Sequence, residues 1–300
     1  MAVHETKAAS PFQLLVSDDG SSSILISHRQ HRYLFDCWLS PQYVALHPAF
    51  YSGKRTTPAW LNLSCLPALD GLLLSSRQND HSDPKTLQAI YQKNPLLPIW
   101  APASLAYKLR HIGFEVIYTS RVGQLFLINQ HLRALQLSGY GGCTPFLLQD
   151  IPSKHTLCIA PHSIDLPWLK ANHVWICQQF ELSLDCPSIT TLCIGITPTL
   201  LAPFGRLSWI MPQKGINIPL PQDTLSILQL LNPKKIIPIH HTPELRSGWA
   251  AKHLVKFPHA PQSPPNHSFI DIGTKSVLQW LVSRYQKGDF ISPKNEPISC

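Results

Sequence analysis

Side chains able to do chemistry follow three apolar segments of the chain, at the point where each segment ends. They are Asp80 with His81, His162, and the adjacent pair His240 and His241. Carboxylate and imidazole groups bind divalent metal ions, and imidazole also carries protons near neutral pH. In open α/β sheets, ligands bind at the carboxyl ends of the strands. The pattern therefore predicts that the chemistry lies at such strand ends.

The segment around Asp80 has the pattern of a strand, a polar loop and a helix. The apolar run 72–74 predicts a buried strand. Asp83 and Pro84 have the residue types of a helix cap and a first-turn residue, so a helix is expected over residues 85–91. Strands and helices alternate further along the chain, which predicts a layered α/β fold.

The other predicted elements are spread over the whole chain. Strands are predicted over 12–16, 22–27, 32–36, 98–100, 116–118, 126–128, 132–137, 157–160, 174–177, 233–240 and 269–272. Helices are predicted over 103–112, with Gly113 as the C-cap, and over 222–231 and 276–285. Residues 1–10 and 286–300 are expected to be loose tails.

Residues 76–81 resemble the metal-binding motif of the metallo-β-lactamase fold, His-x-His-x-Asp-His, which also follows a buried strand. The Asp-His half is present, whereas Ser76 and Gln78 stand where the motif has its two leading histidines. The segment Leu-Phe-Asp-Cys-Trp-Leu at 34–39 resembles the lactonase-like branch, where an aspartate, here Asp36, supports the metal loop. The resemblance implies an α/β fold, a four-layer αββα sandwich, with residues 1–300 as a single domain.

The same resemblance implies that one of the family's two metal sites is kept. Its ligands would be Asp80, His81, His162 and His240. In the other site Ser76, Gln78 and Tyr140 replace the ligands, and hydroxyl and amide groups bind zinc weakly beside imidazole. His162 stands where a carboxylate would bridge two ions, and a neutral imidazole serves only one. We therefore expect one divalent metal, zinc first, with iron or manganese as alternatives.

Two of these ligands have neighbours that could replace them. His241 could take the place of His240 through an offset of one residue, and Asp165 could take the place of His162. A histidine at a strand end is also often a hydrogen-bonded structural group. The alternative to an enzyme is therefore a metal-free descendant of the fold that acts as a binding or scaffold protein.

A single metal ion can activate water or polarise a carbonyl. The predicted function is a repurposed metallo-β-lactamase-fold enzyme, either a hydrolase or lactonase or a metal-assisted lyase or isomerase. Asp80 and Tyr140 are the candidate catalytic residues, Tyr140 as an acid or base. Aromatic side chains expected near the cleft predict a small, largely apolar organic substrate. They are Trp38, Trp60, Tyr140 and Trp209.

Composition limits the other functional classes. The net charge of +8 would suit a nucleic-acid partner, but the 25 lysines and arginines are mostly scattered singly, with Lys234-Lys235 among the few adjacent pairs, which argues against one. No 18-residue apolar span and no apolar leader is present, so neither a transmembrane helix nor a signal peptide is expected. The eight cysteines form no CxxC pair. They predict reduced core residues in a cytoplasmic protein.

Overall fold

Two six-stranded β-sheets form the centre of the protein. The computed structural model describes residues 10–16, 21–45, 51–54, 63, 66–183, 188–195, 199–201, 216–218, 221–239, 245–247 and 254–256. Its strands are β1 Phe12–Val16, β2 Ile24–His28, β3 His31–Phe35, β4 Gln42–Ala45, β5 Tyr51–Lys54, β6 Gly71–Leu73, β7 Ile99–Pro102, β8 Ile117–Ser120, β9 Leu125–Asn129, β10 Leu132–Gln136, β11 Phe146–Asp150, β12 Thr156–Ala160, β13 Thr191–Gly195, β14 Thr199–Leu201, β15 Ile216–Ile218, β16 Lys235–Ile239, β17 Leu245–Ser247 and β18 Leu254–Lys256. The helices are α1 Pro84–Lys93, α2 Ala106–Ile112, α3 Leu166–Gln179 and α4 Pro221–Leu231.

Strand order fixes which strand ends meet. The first sheet has the order β1-β2-β3-β6-β7-β8, and its last four strands are parallel. The second sheet has the order β16-β13-β12-β11-β10-β9, in which β16, β13 and β12 are parallel and the others alternate in direction. Two three-stranded sheets, β15-β14-β18 and β17-β5-β4, complete the described strands.

The buried apolar residues form three clusters, which separate four layers: helices, the first sheet, the second sheet and further helices. Leu72 packs with residues of α1 and α2 on the outer face of the first sheet, whereas Leu73 packs between the two sheets. In the second sheet Ala134 faces the inter-sheet layer and Leu135 faces α3 and α4. This alternation is the period of two expected of a strand. The result is the predicted αββα sandwich.

One predicted element is wrong. The apolar run 174–177 is not a strand but the second half of α3. The carboxylate of Asp165 caps that helix by accepting a hydrogen bond from the backbone N–H of Trp168 at 3.1 Å. A four-residue apolar run does not distinguish a strand from a buried helix. The helix cap at Asp165, upstream of the run, favours the helix.

Other predictions are confirmed with small shifts. The helix predicted over 103–112 begins as a 3₁₀ turn, Ala103–Leu105, and continues as α2. Gly113 ends it in the left-handed region, at φ 117°. The predicted elements 269–272 and 276–285, and the expected tails apart from residue 10, lie outside the described residues.

The cysteines agree with the sequence prediction as far as the structure describes them. Those at 37, 143, 158, 177 and 193 are buried free thiols. The cysteines at 65, 186 and 300 lie outside the described residues. No helix in the described part of the chain combines the length and the apolar character needed to cross a bilayer.

Candidate metal centre

The loop between β6 and α1 is held at its end by a helix cap. Oδ2 of Asp83 accepts hydrogen bonds from the backbone N–H of Thr86 at 3.0 Å and from its hydroxyl at 2.6 Å. The segment after β3 lies alongside, because Cys37 N–H donates to the carbonyl of His81 at 2.7 Å. The carbonyl of Cys37 accepts a hydrogen bond from the backbone N–H of Asp83 at 3.0 Å. The predicted cap is confirmed, and it fixes the position of the loop.

Three of the four candidate ligands meet in space. Asp80, His81 and His162 each offer one ligand atom, and these atoms all lie within 4.8 Å of one another. Nε2 of His81 is 3.1 Å from Nε2 of His162 and 3.8 Å from Oδ2 of Asp80. Both histidines are buried, and the carboxylate of Asp80 is 15% exposed. The group therefore lies just below the surface.

Asp36 sets the orientation of the His81 ring through a contact with its Nδ1 atom. Nδ1 of His81 lies 2.7 Å from Oδ2 of Asp36, a fully buried carboxylate. Ser75 donates to the same carboxylate from its backbone N–H and from its hydroxyl, both at 2.8 Å. Asp36 adopts φ 47°, in the left-handed region that aspartate tolerates better than most residues. This strained position directly after β3 turns the carboxylate towards the loop.

The two positions that lack the motif's histidines make local hydrogen bonds. The hydroxyl of Ser76 accepts from Gln78 N–H at 3.2 Å. The amide of Gln78 donates to the carbonyl of Gly141 at 2.8 Å, which joins this loop to the one after β10. Nearby, the thiol of Cys143 donates to the hydroxyl of Ser75 at 3.1 Å, and burial raises the pKa of this thiol well above its usual range. These contacts connect the two loops without charge.

A partly buried lysine contacts the loop between β6 and α1. Nζ of Lys108, on α2, donates to the side chain of Asn79 at 2.8 Å and to the hydroxyl of Ser82 at 3.1 Å. Burial lowers the pKa of Lys108, and the nearby acidic groups oppose that shift. Sequence reasoning missed Lys108, because nothing near it in the chain shows that it reaches a loop more than 25 residues away. Sequence reasoning also missed Ser75. The available signal was the alternation of side chains along β6, which puts Ser75 on the same side as Leu73.

Tyr140 opens the short 3₁₀ turn Tyr140–Gly142 and is buried. Its hydroxyl accepts a hydrogen bond from the backbone N–H of Leu166 and lies near the carboxylates of Asp223 and Asp165. Burial is the main cause that raises the pKa of Tyr140, and Asp223 adds to the shift. This hydroxyl therefore faces the start of α3. Its role as a catalytic acid or base stays a prediction.

The neighbours named as alternative ligands have different places. Asp165 serves as the cap of α3, with its second oxygen 3.3 Å from the hydroxyl of Ser138, whereas His162 lies in the ligand group. His240 and His241 lie outside the described residues. The strand before them, β16, is parallel to β13 and β12, so its carboxyl end lies at the sheet edge that carries His162. The assignment of His240 as a ligand remains a prediction.

The aromatic residues expected near the cleft are only partly described. Trp38 is 2% exposed, and its backbone N–H donates to the hydroxyl of Ser23 at 3.1 Å. Trp60 and Trp209 lie outside the described residues. The apolar character of the substrate therefore stays a prediction.

The chemistry of the described group fits a divalent cation. A carboxylate accepts but does not donate, so Asp36 selects the His81 tautomer that carries its proton on Nδ1 and its lone pair on Nε2. That nitrogen faces the other two ligand atoms. Two imidazoles and one carboxylate form a donor set that zinc, iron(II) and manganese(II) accept. Within the part of the chain that the structure describes, no other group of this kind occurs.

Comparison with solved structures finds similar folds at low sequence identity. A structure titled as a possible metal-dependent hydrolase from Veillonella parvula aligns with a TM-score of 0.57 and 11% identity, over 95% of this chain and 97% of that one. CmlA, a diiron β-hydroxylase from Streptomyces venezuelae, aligns with a TM-score of 0.55 and 17% identity, over 93% of this chain and 52% of CmlA. The isothiocyanate hydrolase from Delia radicum gut bacteria aligns with a TM-score of 0.52 and 15% identity, over 76% of this chain and 84% of that one.

The chain spans about half the length of CmlA, so the two proteins share a domain-sized portion. No family model and no curated protein matches the sequence. At these identities the alignments establish the fold.

Proposed function

We propose that this chain, which has the metallo-β-lactamase fold, is a metal-dependent hydrolase that acts on a small organic molecule through one metal ion. Asp80, His81 and His162 would hold the ion, with His240 as the fourth ligand. The observation that carries the proposal is the approach of three ligand atoms to within 4.8 Å of one another. A divalent cation bound there supplies Lewis acidity that activates water near neutral pH and polarises a carbonyl.

The residues around the group are suited to keep a metal ligand in place. Asp36 holds His81 in one orientation and one tautomer, and partners of this kind raise metal affinity. Burial of both histidines limits their competing contacts with water. The partly exposed carboxylate of Asp80 leaves one side of the group open to a ligand from solution. A hydrolase needs that open side for substrate and water.

The number of ions follows from the positions that have lost their histidines. The hydroxyl of Ser76 and the amide of Gln78 are engaged in hydrogen bonds with protein groups, and neither group competes with imidazole for zinc. The Tyr140 hydroxyl is engaged with the start of α3. We therefore expect one metal equivalent per chain.

A second candidate is a metal-free binding or scaffold protein. The observation in its favour is the direct contact between Nε2 of His81 and Nε2 of His162 at 3.1 Å, since a hydrogen bond between these two nitrogens satisfies both of them without an ion. A metal-assisted lyase or isomerase is a further variant of the enzyme hypothesis, because those reactions also use carbonyl activation.

Metal content and hydrolysis separate these functions. The protein is purified without chelator, its metal content per chain is measured by plasma mass spectrometry, and an ester, a lactone and a thioester are assayed before and after chelation. We expect one equivalent of metal and hydrolysis that chelation removes and metal addition restores. The matched control is His111→Gln, which changes an exposed histidine on α2 and is expected to keep both.

Each other result has a distinct meaning. Two metal equivalents would contradict the single-ion hypothesis. No metal together with no chelator effect would favour the scaffold protein. Bound metal without hydrolysis of any of the three substrate types would reject the hydrolase and favour lyase or isomerase chemistry.

A further inference from the structure

We propose that the protein has a carboxylate-binding subsite beside the metal centre, formed by Ser120, Arg121 and Gln136. It would hold the acidic end of the substrate. The inference rests on the proposed function for the reaction, whereas binding of the carboxylate itself does not require metal.

The strand directions place these residues at the edge that carries the metal centre. Ser120 ends β8, which is parallel to β7 and β6, so it lies on the side where β6 leads into the metal loop. Gln136 ends β10, which runs in the direction of β12 because both are antiparallel to β11. His162 follows β12 on that same side. The subsite and the metal centre therefore share one edge of the sandwich.

The segment 121–124 joins β8 of the first sheet to β9 of the second across this edge. It is tied to Gln136, because Gly123 N–H donates to the carbonyl of Gln136 at 2.8 Å. The backbone N–H of Gln136 donates in turn to the carbonyl of Gln124 at 3.4 Å. Gln136 thus lies directly behind the crossing segment.

Both polar side chains face the space between the sheets. Ala134, two residues before Gln136, belongs to the inter-sheet layer. Tyr118, two residues before Ser120, stacks on the inter-sheet residue Trp100 with ring centroids 5.3 Å apart. Because strand side chains alternate, Ser120 and Gln136 point into the same layer.

These two side chains are buried without hydrogen-bond partners. Gln136 is fully buried, and neither its amide oxygen nor its amide nitrogen has a partner within the described chain. Ser120 is 6% exposed, and the same holds for its hydroxyl. Buried polar groups left unpaired lower stability, so native proteins rarely keep them without a reason. A polar ligand that enters from solution would supply the missing partner.

An open cavity reaches Ser120, and Gln136 lies behind its wall, to which it is joined by the backbone hydrogen bonds with Gly123 and Gln124. The cavity has a volume of about 750 Å³ and is lined by Ala103, Thr119, Ser120, Arg121, Val122, Gly123 and Gln124. Ser120 is the buried member of the lining, and the side chain of Arg121 is exposed at the rim. Among the described residues, no carboxylate lines the cavity and none forms an ion pair with Arg121.

The available donors decide the ligand class. The guanidinium of Arg121 donates in a fork that matches the two oxygens of a carboxylate. The hydroxyl of Ser120 and the amide N–H of Gln136 add neutral donors deeper in the protein. The amide oxygen of Gln136 would accept a hydrogen bond from a hydroxyl or amide next to the acid. A small organic acid fits this set better than a neutral ester.

The test measures binding to chelator-treated protein by calorimetry, with benzoate and succinate as probes and with benzamide and inorganic phosphate as comparisons. We expect the carboxylates to bind at least tenfold more tightly than benzamide and phosphate. Arg121→Gln and Ser120→Ala should each weaken carboxylate binding at least tenfold. Arg110→Gln, which removes an exposed arginine on α2, should not.

Gln136→Leu separates binding from folding. Because leucine removes an unpaired buried amide at similar size, the melting temperature should stay the same or rise while carboxylate affinity falls at least tenfold. Loss of binding together with unfolding would instead assign Gln136 a structural role, and the other two variants would then decide the subsite. Unchanged carboxylate affinity in Arg121→Gln and Ser120→Ala would overturn it, as would equal binding of phosphate.

Kinetics distinguish a failure of the subsite from a failure of the proposed function. If the protein hydrolyses esters, Arg121→Gln should raise KM for a substrate with a free carboxylate at least tenfold, and leave kcat within twofold. A neutral ester should be unaffected. Hydrolysis with the same KM in the variant would reject the subsite and keep the hydrolase. Carboxylate binding without any hydrolysis would keep the subsite and reject the hydrolase.

Discussion

Nδ1 of His81 donates a hydrogen bond to Oδ2 of Asp36 over 2.7 Å, although 45 residues separate the two in sequence. Asp36 also accepts two hydrogen bonds from Ser75, so its carboxylate is fixed on three sides. The lone pair of neutral His81 is thereby directed to Nε2, which faces His162. In the proposed metal site, Asp36 would thus hold His81 with its lone pair available to an ion.

Asp36→Asn should weaken metal binding without unfolding the protein. Asparagine keeps the size and the tolerance for positive φ, but its amide group can present a donor to Nδ1 and so favour the wrong tautomer. Loss of such a partner typically costs about 10- to 100-fold in metal affinity. Competition with a chromophoric chelator measures the change. Asp70→Asn, at an exposed aspartate directly before β6, is the control, and equal affinity in the two variants would count against this role of Asp36.

His162 and Asp165 should respond in opposite ways to removal of their side chains. His162→Ala removes a proposed ligand atom, so the metal content should fall well below one equivalent per chain. Asp165→Ala removes the cap of α3 and should cost about 1 kcal/mol of unfolding free energy, with the metal content unchanged. Elemental analysis and urea unfolding measure the two quantities. Metal loss in Asp165→Ala with metal retained in His162→Ala would exchange the assignments.

The features that sequence reasoning predicted well are local ones. The strand at 72–74 and the cap at Asp83 each depend on residues close together in sequence, and both are confirmed. The fold and the support from Asp36 came from a resemblance, because periodicity does not show which strand end faces which loop. The run 174–177 was mispredicted because short apolar runs look alike in strands and buried helices.

The features that it missed depend on tertiary contacts. The hydrogen bond from Gln78 to Gly141 joins loops 63 residues apart, and no pattern around either residue announces it. Ser120 and Gln136 look like ordinary strand ends in sequence. They become distinctive only when the packed sheets leave both side chains buried and without partners.

Stability should fall in acid because of the buried carboxylate of Asp150, which lies at the end of the sandwich opposite the candidate metal centre. Burial alone would raise the pKa of Asp150, but hydrogen bonds from Arg29, Ser153 and His28 hold it well below its ordinary value. A lowered carboxyl pKa stabilises the folded state above the unfolded value of about 4, and that stability is lost as pH falls below it. Burial also lowers the pKa of His28, so its contribution is lost as pH falls below about 6.5, in the same direction.

Asp150→Asn tests this pH dependence. Asparagine removes the charge that accepts hydrogen bonds from His28, Arg29 and Ser153, which should cost about 2 kcal/mol of unfolding free energy at pH 7. The variant should then lose less further stability than the wild type between pH 5 and pH 3, because the carboxyl group no longer titrates. Urea unfolding at several pH values measures both effects. Parallel stability curves for variant and wild type would show that Asp150 is not the titrating group.

Gln78→Leu should affect stability and leave metal binding intact. The variant removes the hydrogen bond to Gly141 and leaves that carbonyl without this donor, which should cost about 1 kcal/mol of unfolding free energy. Position 78 corresponds to a lost ligand in our single-ion hypothesis, so the metal content should stay at one equivalent per chain. Thermal unfolding and elemental analysis measure the two effects, with Gln130→Leu on the exposed turn between β9 and β10 as the control. A fall in metal content in Gln78→Leu alone would show that the amide takes part in holding the ion, and the assignment of position 78 as purely structural would be wrong.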